Sequence, residues 1–163
     1  MTTIAYRAGI LAADTGVCVG GSRAGYTVKI VRRPDGALAA AAGFAAYCYA
    51  FRNWFLSGGD PPEAKTDTGV MDRGTVFYAD GRIEIFEPGG RFFMTAPYYA
   101  MGSGRPEALG AMHYGAGAIN AVKAAIAHDN DTFGEISALS HDGLVAVNIS
   151  EALGLEPMRE AAE

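Results

Sequence analysis

The sequence predicts a single α+β domain over residues 1–163, with strand-rich segments at both ends and helices between them. Alternating apolar and polar residues at the two ends are typical of antiparallel hairpins, and longer apolar runs between them have helical spacing. A chain of this length can bury a sizeable core. Charged residues make up only 19% and hydrophobic residues 50%, whereas an ordinary soluble domain has roughly 25% charged residues. This apolar excess suits subunit interfaces as well as a core.

The first half of the chain is predicted to form two hairpins and a helix. The hairpin strands are Thr2–Arg7 with Ile10–Asp14, and Tyr26–Arg32 with Ala37–Ala42. Gly9 suits the first turn, and each residue of Pro34-Asp35-Gly36 suits its place in the second. Phe44–Leu56 is apolar on nearly all sides, which predicts a helix covered on both faces. The glycines and prolines of residues 57–62 end that helix in a surface loop.

The second half is predicted to form a sheet, two helices and a last hairpin. Its strands are Thr75–Ala79, Arg82–Phe86 and Phe92–Ala96, followed later by Ile136–Leu139 and Leu144–Ile149. Asp80-Gly81 gives the strongest hairpin signal in the chain. The helices are separated by glycines at residues 114–117, and their apolar faces carry Ala108, Leu109 and Met112, then Ile119, Val122 and Ile126. Residues 151–163 form an acidic tail.

Composition narrows the functional classes. A net charge of −5 argues against a nucleic-acid or anionic-membrane surface. No apolar run reaches the ~20 residues of a membrane span and no signal peptide opens the chain, so a cytoplasmic protein with reduced Cys18 and Cys48 is expected. No His-rich or Cys-rich spacing indicates a metal site, and the glycine-rich turns lack the strand–helix context of phosphate binding. We therefore expect no metal and no cofactor.

Thr2 is the most informative single residue, because removal of Met1 would expose a hydroxyl and a free α-amine on one residue. A threonine hydroxyl is a weak nucleophile until a base takes its proton. The α-amine has an unperturbed pKa of about 8 and can act as that base near neutral pH. Thr2 is therefore a candidate nucleophile.

Further candidates follow along the chain. Lys29 lies in an apolar strand pattern, and if it is buried it needs a partner such as Asp14 on a neighbouring strand. Gly43 lies between a strand and a helix, where a backbone N–H can face an oxyanion. Ser103 lies between glycines before another helix, and it suits either a helix cap or a site. His113 and His128 resemble helix-surface residues.

This series of residues resembles the proteasome β-subunit and HslV peptidase family of N-terminal nucleophile hydrolases. The resemblance extends from Thr2 to about Leu139, and its motifs are Thr2-Thr3-Ile4, Asp14, Lys29-Ile30, Gly43-Phe44-Ala45, Gly102-Ser103-Gly104 and Asp129-Asn130-Asp131-Thr132. Phe133 departs from the family, which has glycine there. The resemblance implies a four-layer αββα sandwich, with a shortened second helix because residues 58–69 are too few for a full one.

The resemblance also implies a mechanism and a site. It implies peptide hydrolysis through an acyl-enzyme, with a catalytic set of Thr2, Asp14, Lys29, Gly43, Ser103, Asp129 and Thr132. The substrate-binding residues that it implies are Val17, Cys18, Thr27, Ala41 and Ala45. Of these, Val17, Thr27, Ala41 and Ala45 are implied to line the pocket for the side chain before the scissile bond. None of the four is charged, so a large apolar side chain there is expected to be preferred over a basic or acidic one.

The implied partners are a homo-oligomeric ring or stacked rings, a peptide or unfolded protein substrate, and an ATP-dependent unfoldase. Two alternatives remain open: an N-terminal nucleophile hydrolase that acts on a small amide, and a catalytically silent ring-forming scaffold subunit. The complete set Thr2, Asp14, Lys29, Gly43 and Ser103 argues against a scaffold, which has no need of it.

Overall fold

The computed structural model describes residues 2–145, which form two five-stranded antiparallel sheets, two small hairpins and three helices. The strands are β1 Thr3–Arg7, β2 Ile10–Asp14, β3 Gly16–Val19, β4 Ser22–Tyr26, β5 Ile30–Arg32, β6 Leu38–Ala42, β7 Thr66–Asp67, β8 Val70–Met71, β9 Arg73–Phe77, β10 Arg82–Glu87, β11 Gly90–Thr95, β12 Tyr98–Gly102, β13 Ile136–Ser140 and β14 Gly143–Leu144. The helices are α1 Ala45–Ser57, α2 Arg105–His113 and α3 Ala118–His128.

The strand order defines the two large sheets. The first sheet has the order β12-β1-β2-β13-β14, and the second sheet has the order β11-β10-β9-β6-β5. In the first sheet, Thr3 pairs with Gly102 on one side of β1, and Ile4 pairs with Ala13 on the other. This register brings Thr2, which precedes β1, beside Asp14 at the end of β2 and Ser103 just after β12. All three are predicted site residues.

The two sheets pack face to face because alternate residues of each strand point into a shared core. Ile4 and Leu11 of the first sheet pack there with Leu38, Phe77 and Ile83 of the second, and all five are fully buried. Burial of each such side chain contributes about 1.5–3 kcal/mol. This core therefore fixes the position of one sheet on the other.

Helices cover the outer face of each sheet. Met112 of α2 and Val122 of α3 pack on the alanine-rich outer face of the first sheet, and Phe51 of α1 packs on the second. Small residues such as Ala5 and Ala12 on the outer face of the first sheet let its helices approach closely. The layers are therefore two helices, sheet, sheet and one helix, an arrangement compatible with the expected αββα sandwich.

Several predicted elements differ from the structure. The predicted strand Tyr26–Arg32 is interrupted, because β4 ends at Tyr26 and β5 begins at Ile30. The β3–β4 hairpin and β12 were not predicted. Residues 2–145 do not cover helix α1 on both faces, since Tyr49 is 63% and Leu56 51% exposed. The reason is that α1 forms the outermost layer and buries only the face that carries Tyr47, Phe51 and Phe55.

The shortened second helix is also wrong in detail, because residues 58–65 are irregular and residues 66–71 form the small β7–β8 hairpin. Pro61 and Pro62 lack the backbone N–H that a helix interior requires. Two hydrogen bonds between Lys65 and Asp72 join the ends of this small hairpin. The Asp72 N–H donates to the Lys65 carbonyl at 2.8 Å, and the Asp72 carboxylate accepts from the Lys65 N–H at 3.1 Å.

The remaining predictions concern membrane spans and the two ends of the chain. None of the helices within residues 2–145 is long and apolar enough to cross a membrane. Strand β14 contains the start of the predicted strand Leu144–Ile149, and the rest of that strand lies outside the described residues. Met1 and the acidic tail of residues 151–163 lie outside them as well.

Candidate active site

A cavity of about 340 Å³ lies where the N-terminal end of β1 meets the start of α1. Thr2, Lys29 and Gly43 all line it, although they come from three separate segments of the chain. Thr2 is half-buried, Lys29 is buried and Gly43 is exposed. The candidate nucleophile, the candidate cation and the candidate oxyanion turn therefore share one space.

The backbone of Thr2 is held by the turn after β12. The Ser103 N–H donates to the Thr2 carbonyl oxygen at 2.8 Å. Gly102 precedes it with φ +97°, and a side chain at that position would overlap the Thr2 carbonyl. Glycine is needed at residue 102 because of this positive φ and this close approach, and the next residue, Ser103, holds the backbone of Thr2.

Asp14 and Lys29 form a buried ion pair, with the Lys29 Nζ donating to Asp14 Oδ1 at 2.9 Å. Asp14 has no exposure and Lys29 is only 5% exposed. The Asp14 carboxylate also accepts from three backbone N–H groups, those of Thr3 at 2.8 Å, Gly16 at 3.2 Å and Phe133 at 3.3 Å. Four donors therefore satisfy the hydrogen-bonding capacity of this buried carboxylate.

The electrostatics of Lys29 follow from this burial. Removal from water lowers the pKa of the Lys29 ammonium, and the nearby Asp14 carboxylate raises it by a smaller amount. Burial also raises the pKa of the Cys48 thiol to about 11, so this neighbour of Lys29 is neutral near pH 7. The Asp14 carboxylate therefore opposes the effect of burial and favours the charged form of Lys29.

The turn at the start of α1 is held by Asp72, a residue that the sequence did not single out. The Phe44 N–H donates to Asp72 Oδ1 at 2.9 Å. Gly43 has φ +127°, and a Cβ built on it would lie 2.5 Å from Asp72 Oδ1 and 2.7 Å from Asp72 Cα. Only glycine fits this backbone and this close approach. The buried Asp72 carboxylate thus fixes the turn that leads into α1.

A second polar network adjoins Thr2. Ser103 Oγ donates to Asp129 Oδ2 at 2.6 Å, and Thr132 Oγ1 donates to the same oxygen at 2.5 Å. Burial raises the pKa of Asp129, but hydrogen bonds from Ser103, Thr132 and the Asp131 N–H outweigh this and leave it below the ordinary value. Ser103 Oγ also lies 3.4 Å from the Thr2 carbonyl oxygen. The network therefore reaches the backbone of Thr2.

Thr132 extends this network into the interior, and Phe133 packs beside it. Thr132 is fully buried, and its Oγ1 lies 2.6 Å from Thr3 Oγ1. Phe133, which departs from the family pattern, is accommodated because its ring lies against Gly16, where a Cβ would approach the ring within 2.6 Å. The Phe133 carbonyl accepts from the Gly16 N–H at 2.8 Å. The large residue therefore fits where β3 begins.

All five predicted substrate-binding residues line the same cavity as Thr2. They are Val17, Cys18, Thr27, Ala41 and Ala45. The structure adds Cys48, Tyr49 and Arg52 from α1, which the sequence analysis missed. Arg52 is the only charge in an otherwise apolar stretch of that helix, and this was the one available signal.

The histidines lie apart from this cavity. His113 and His128 are exposed on α2 and α3. His141 joins two turns, because its Nδ1 lies 2.8 Å from the Gly36 carbonyl and its Nε2 lies 2.9 Å from the Tyr6 hydroxyl. Within residues 2–145, no three His, Cys, Asp or Glu residues are grouped closely enough to hold a metal ion.

Comparisons with known proteins bear on the fold. No protein-family model matches the sequence, and no curated protein matches it. Among solved structures, the chain is similar to Thiobacillus denitrificans BPH in complex with epoxomicin, at 23% identity and a TM-score of 0.61. The match covers 85% of this chain and 96% of that chain. At this identity the likeness shows the fold alone.

Proposed function

We propose that this chain is a threonine peptidase of the N-terminal nucleophile type, with Thr2 as its N-terminal residue after Met1 is removed. One observation carries the proposal: Thr2, Gly43 and Lys29, which is paired with the buried Asp14, all line a single cavity. The fold neighbour was solved with epoxomicin, a proteasome inhibitor, and this supports the same class of chemistry for this chain.

The first chemical step would be attack of Thr2 Oγ on the scissile carbonyl. Its proton passes to the Thr2 α-amine, directly or through water, and returns to the leaving amine when the peptide bond breaks. Lys29 lies on the cavity wall as a cation held charged by Asp14. A nearby positive charge favours the alkoxide over the hydroxyl. Water then hydrolyses the acyl-enzyme ester and regenerates the hydroxyl.

Gly43 would supply the oxyanion donor. The Phe44 N–H is already engaged by Asp72, so we assign the role to the preceding N–H, on the cavity wall. Loss of one such donor in other enzymes raises the barrier by roughly 3–4 kcal/mol. Because Asp72 and the close backbone approach fix the turn, the donor is positioned before substrate binds.

Ser103, Asp129 and Thr132 would orient the amine end of Thr2. The Ser103 N–H holds the Thr2 carbonyl, and the Ser103 hydroxyl is fixed in turn by Asp129. Thr132 bonds the same carboxylate oxygen from the buried side. An α-amine beside this network would have acceptors that favour one rotamer, which is what a general base needs.

Substrate would bind as an extended strand beside β3, with one side chain in the cavity. We also propose assembly into a homo-oligomeric ring or stacked rings, with an ATP-dependent unfoldase as a partner for long unfolded substrates. Exposed apolar side chains support the assembly, including Tyr49 and Leu56 on α1 and Phe93 on β11, which are 63%, 51% and 55% exposed in the single chain.

The test compares hydrolysis of a fluorogenic peptide panel by wild-type protein, Thr2→Ala and Thr2→Ser. Thr2→Ala should lose hydrolysis and keep its fold, because the change removes the nucleophile but no large packed group. Thr2→Ser keeps a hydroxyl and should retain measurable turnover. Turnover by Thr2→Ala at the wild-type rate would show that the chemistry lies elsewhere. Hydrolysis of small amides but of no peptide would favour the small-amide alternative.

A further inference from the structure

Arg52 lies on α1 and lines the same cavity as Thr2. Tyr49 and Cys48 precede it by three and four residues, so the three side chains share one face of the helix. The Arg52 Nη1 donates to the Val28 carbonyl, between the end of β4 and the start of β5. A guanidinium has five N–H donors, so this bond leaves most of its donors for another partner.

Arg52 has no carboxylate partner within residues 2–145. None of the salt bridges within residues 2–145 involves Arg52, and no aspartate or glutamate is among the residues that line the cavity. Burial lowers the pKa of the Arg52 guanidinium, and only the Cys48 thiol and the Tyr49 hydroxyl oppose this shift. A partly desolvated cation without a counter-ion attracts an anion more strongly than a surface arginine does.

The second cation of the cavity does not offer the same opportunity. Lys29 is paired with Asp14 at 2.9 Å, so the two charges cancel locally. Among residues 2–145, those that line the cavity therefore carry one positive charge, that of Arg52, which no carboxylate there neutralises, although the whole chain carries a net charge of −5. The expectation of a purely apolar preference considered only Val17, Thr27, Ala41 and Ala45, and did not include this residue.

We propose, resting on the proposed peptidase function, that Arg52 is a specificity-determining residue that binds the carboxylate of an acidic side chain before the scissile bond. The planar fork of a guanidinium matches a carboxylate with two parallel hydrogen bonds. Glutamate should therefore be preferred over its neutral isostere glutamine, over leucine, and most strongly over arginine. A free C-terminal carboxylate of a short peptide is a second source of the same chemistry, and the test separates the two.

The experiment uses quenched fluorogenic peptides that differ only in the residue before the cleaved bond, which is Glu, Gln, Leu or Arg. Each peptide is made with a free and with an amidated C-terminus. For wild-type protein, kcat/KM for the Glu peptide should exceed that for the Gln peptide by roughly tenfold to a hundredfold, the range of a charge-assisted bond in a partly buried site. The ratio should be independent of C-terminal amidation.

Variants then locate the preference. Arg52→Gln should bring the Glu-to-Gln ratio close to one, and Arg52→Lys should leave an intermediate ratio. Arg52→Glu should reverse the charge preference, so that the Arg peptide is cleaved better than the Glu peptide. Arg82→Gln is the matched control, because Arg82 is exposed at the opposite end of the second sheet from Gly43 and pairs with Asp80. It should keep the wild-type ratio.

The outcomes separate the two proposals. If wild-type protein shows no Glu preference, if the preference survives Arg52→Gln, or if it follows the C-terminal carboxylate, the role of Arg52 is overturned while Thr2-dependent hydrolysis of the Leu peptide still supports the peptidase. If Thr2→Ala cleaves all peptides as wild-type does, the proposed function fails and the Arg52 proposal fails with it. Reaction of Arg52→Gln with a peptide epoxyketone at Thr2 verifies that this variant is folded.

Discussion

Lys29 and Arg52 are both cations on the wall of one cavity, but their surroundings differ. Lys29 is buried and bonded to a fully buried carboxylate, whereas Arg52 is half-buried and bonded to a backbone carbonyl. Asp14 is itself fixed by three backbone N–H groups, so the Lys29 charge is part of the folded structure. Within residues 2–145 Arg52 has no carboxylate partner, and we propose that a ligand supplies its countercharge.

This difference indicates separate roles for two charges of the same sign. A cation with an internal counter-ion is held in one place and can act on the reaction in the same way with every substrate. A cation without one contributes most when a particular substrate brings the opposite charge. We therefore expect changes at Lys29 to affect all substrates equally, and changes at Arg52 to affect substrates according to their charge.

The largest effect should come from Lys29→Ala. Loss of the cation removes the charge that favours the Thr2 alkoxide, so kcat/KM should fall by at least roughly a hundredfold for every peptide tested. Lys123→Ala on α3 is the matched control, since it removes a half-buried lysine from the opposite helix layer. Full activity of Lys29→Ala would contradict the proposed activation of the nucleophile.

Asp14→Asn should disrupt the Asp14–Lys29 ion pair by removing its negative charge. The change leaves the buried Lys29 ammonium without its counter-ion, so the free energy of unfolding should fall by about 3–5 kcal/mol, and hydrolysis should slow as well. Urea denaturation measures the first effect. Asp35→Asn is the control, because the Arg33–Asp35 pair is exposed, with side-chain exposures of 36% and 54%, and is close in sequence. Its loss should change stability by no more than about 1 kcal/mol.

Variants at Asp72 test whether its carboxylate positions the turn at Gly43. Asp72→Ala removes the acceptor of the Phe44 N–H, and kcat should fall by roughly tenfold to a hundredfold, with a smaller change in KM. Asp72→Asn keeps an oxygen acceptor and should recover part of this loss. Equal values of kcat for the two variants, with equal thermal stability, would show that Asp72 does not position the oxyanion turn.

The pH dependence of activity should show the smallest effect. Burial lowers the pKa of Lys29 more than Asp14 raises it, so the alkaline loss of kcat/KM should occur below the roughly 10.4 of a free lysine. In the same window the unfolded chain binds more protons at this site than the folded chain, so the contribution of Lys29 to stability rises with pH while activity falls. Asp14→Asn should move the alkaline limb to still lower pH. A limb above pH ~10.4 would contradict this account.

The sequence predicted the parts of the fold and the site that follow from local pattern and from charge. The β1–β2 hairpin was visible in the alternation around Gly9, and the structure confirms it. The Asp14–Lys29 contact was expected because a buried lysine needs a counter-ion, and the structure brings the two together at 2.9 Å. The roles assigned to both residues stay predictions.

The missed features depend on contacts between distant segments. The strands of the β3–β4 hairpin are mostly exposed, so no apolar alternation marked them. Strand β12 pairs with β1 across most of the chain, a register that no local pattern encodes. Arg52 could be placed on a helix but not beside Thr2, because that neighbourhood exists only once the Val28 segment has folded against α1.

The central claim is that Thr2, exposed by removal of Met1, is the nucleophile. The most direct measurement is intact mass followed by peptide mapping after incubation with a peptide epoxyketone such as epoxomicin. We predict one adduct per chain, on a chain that begins at Thr2, and no adduct on Thr2→Ala. An unmodified wild-type protein, or an adduct on Cys18 or Cys48 that persists in Thr2→Ala, would contradict the claim.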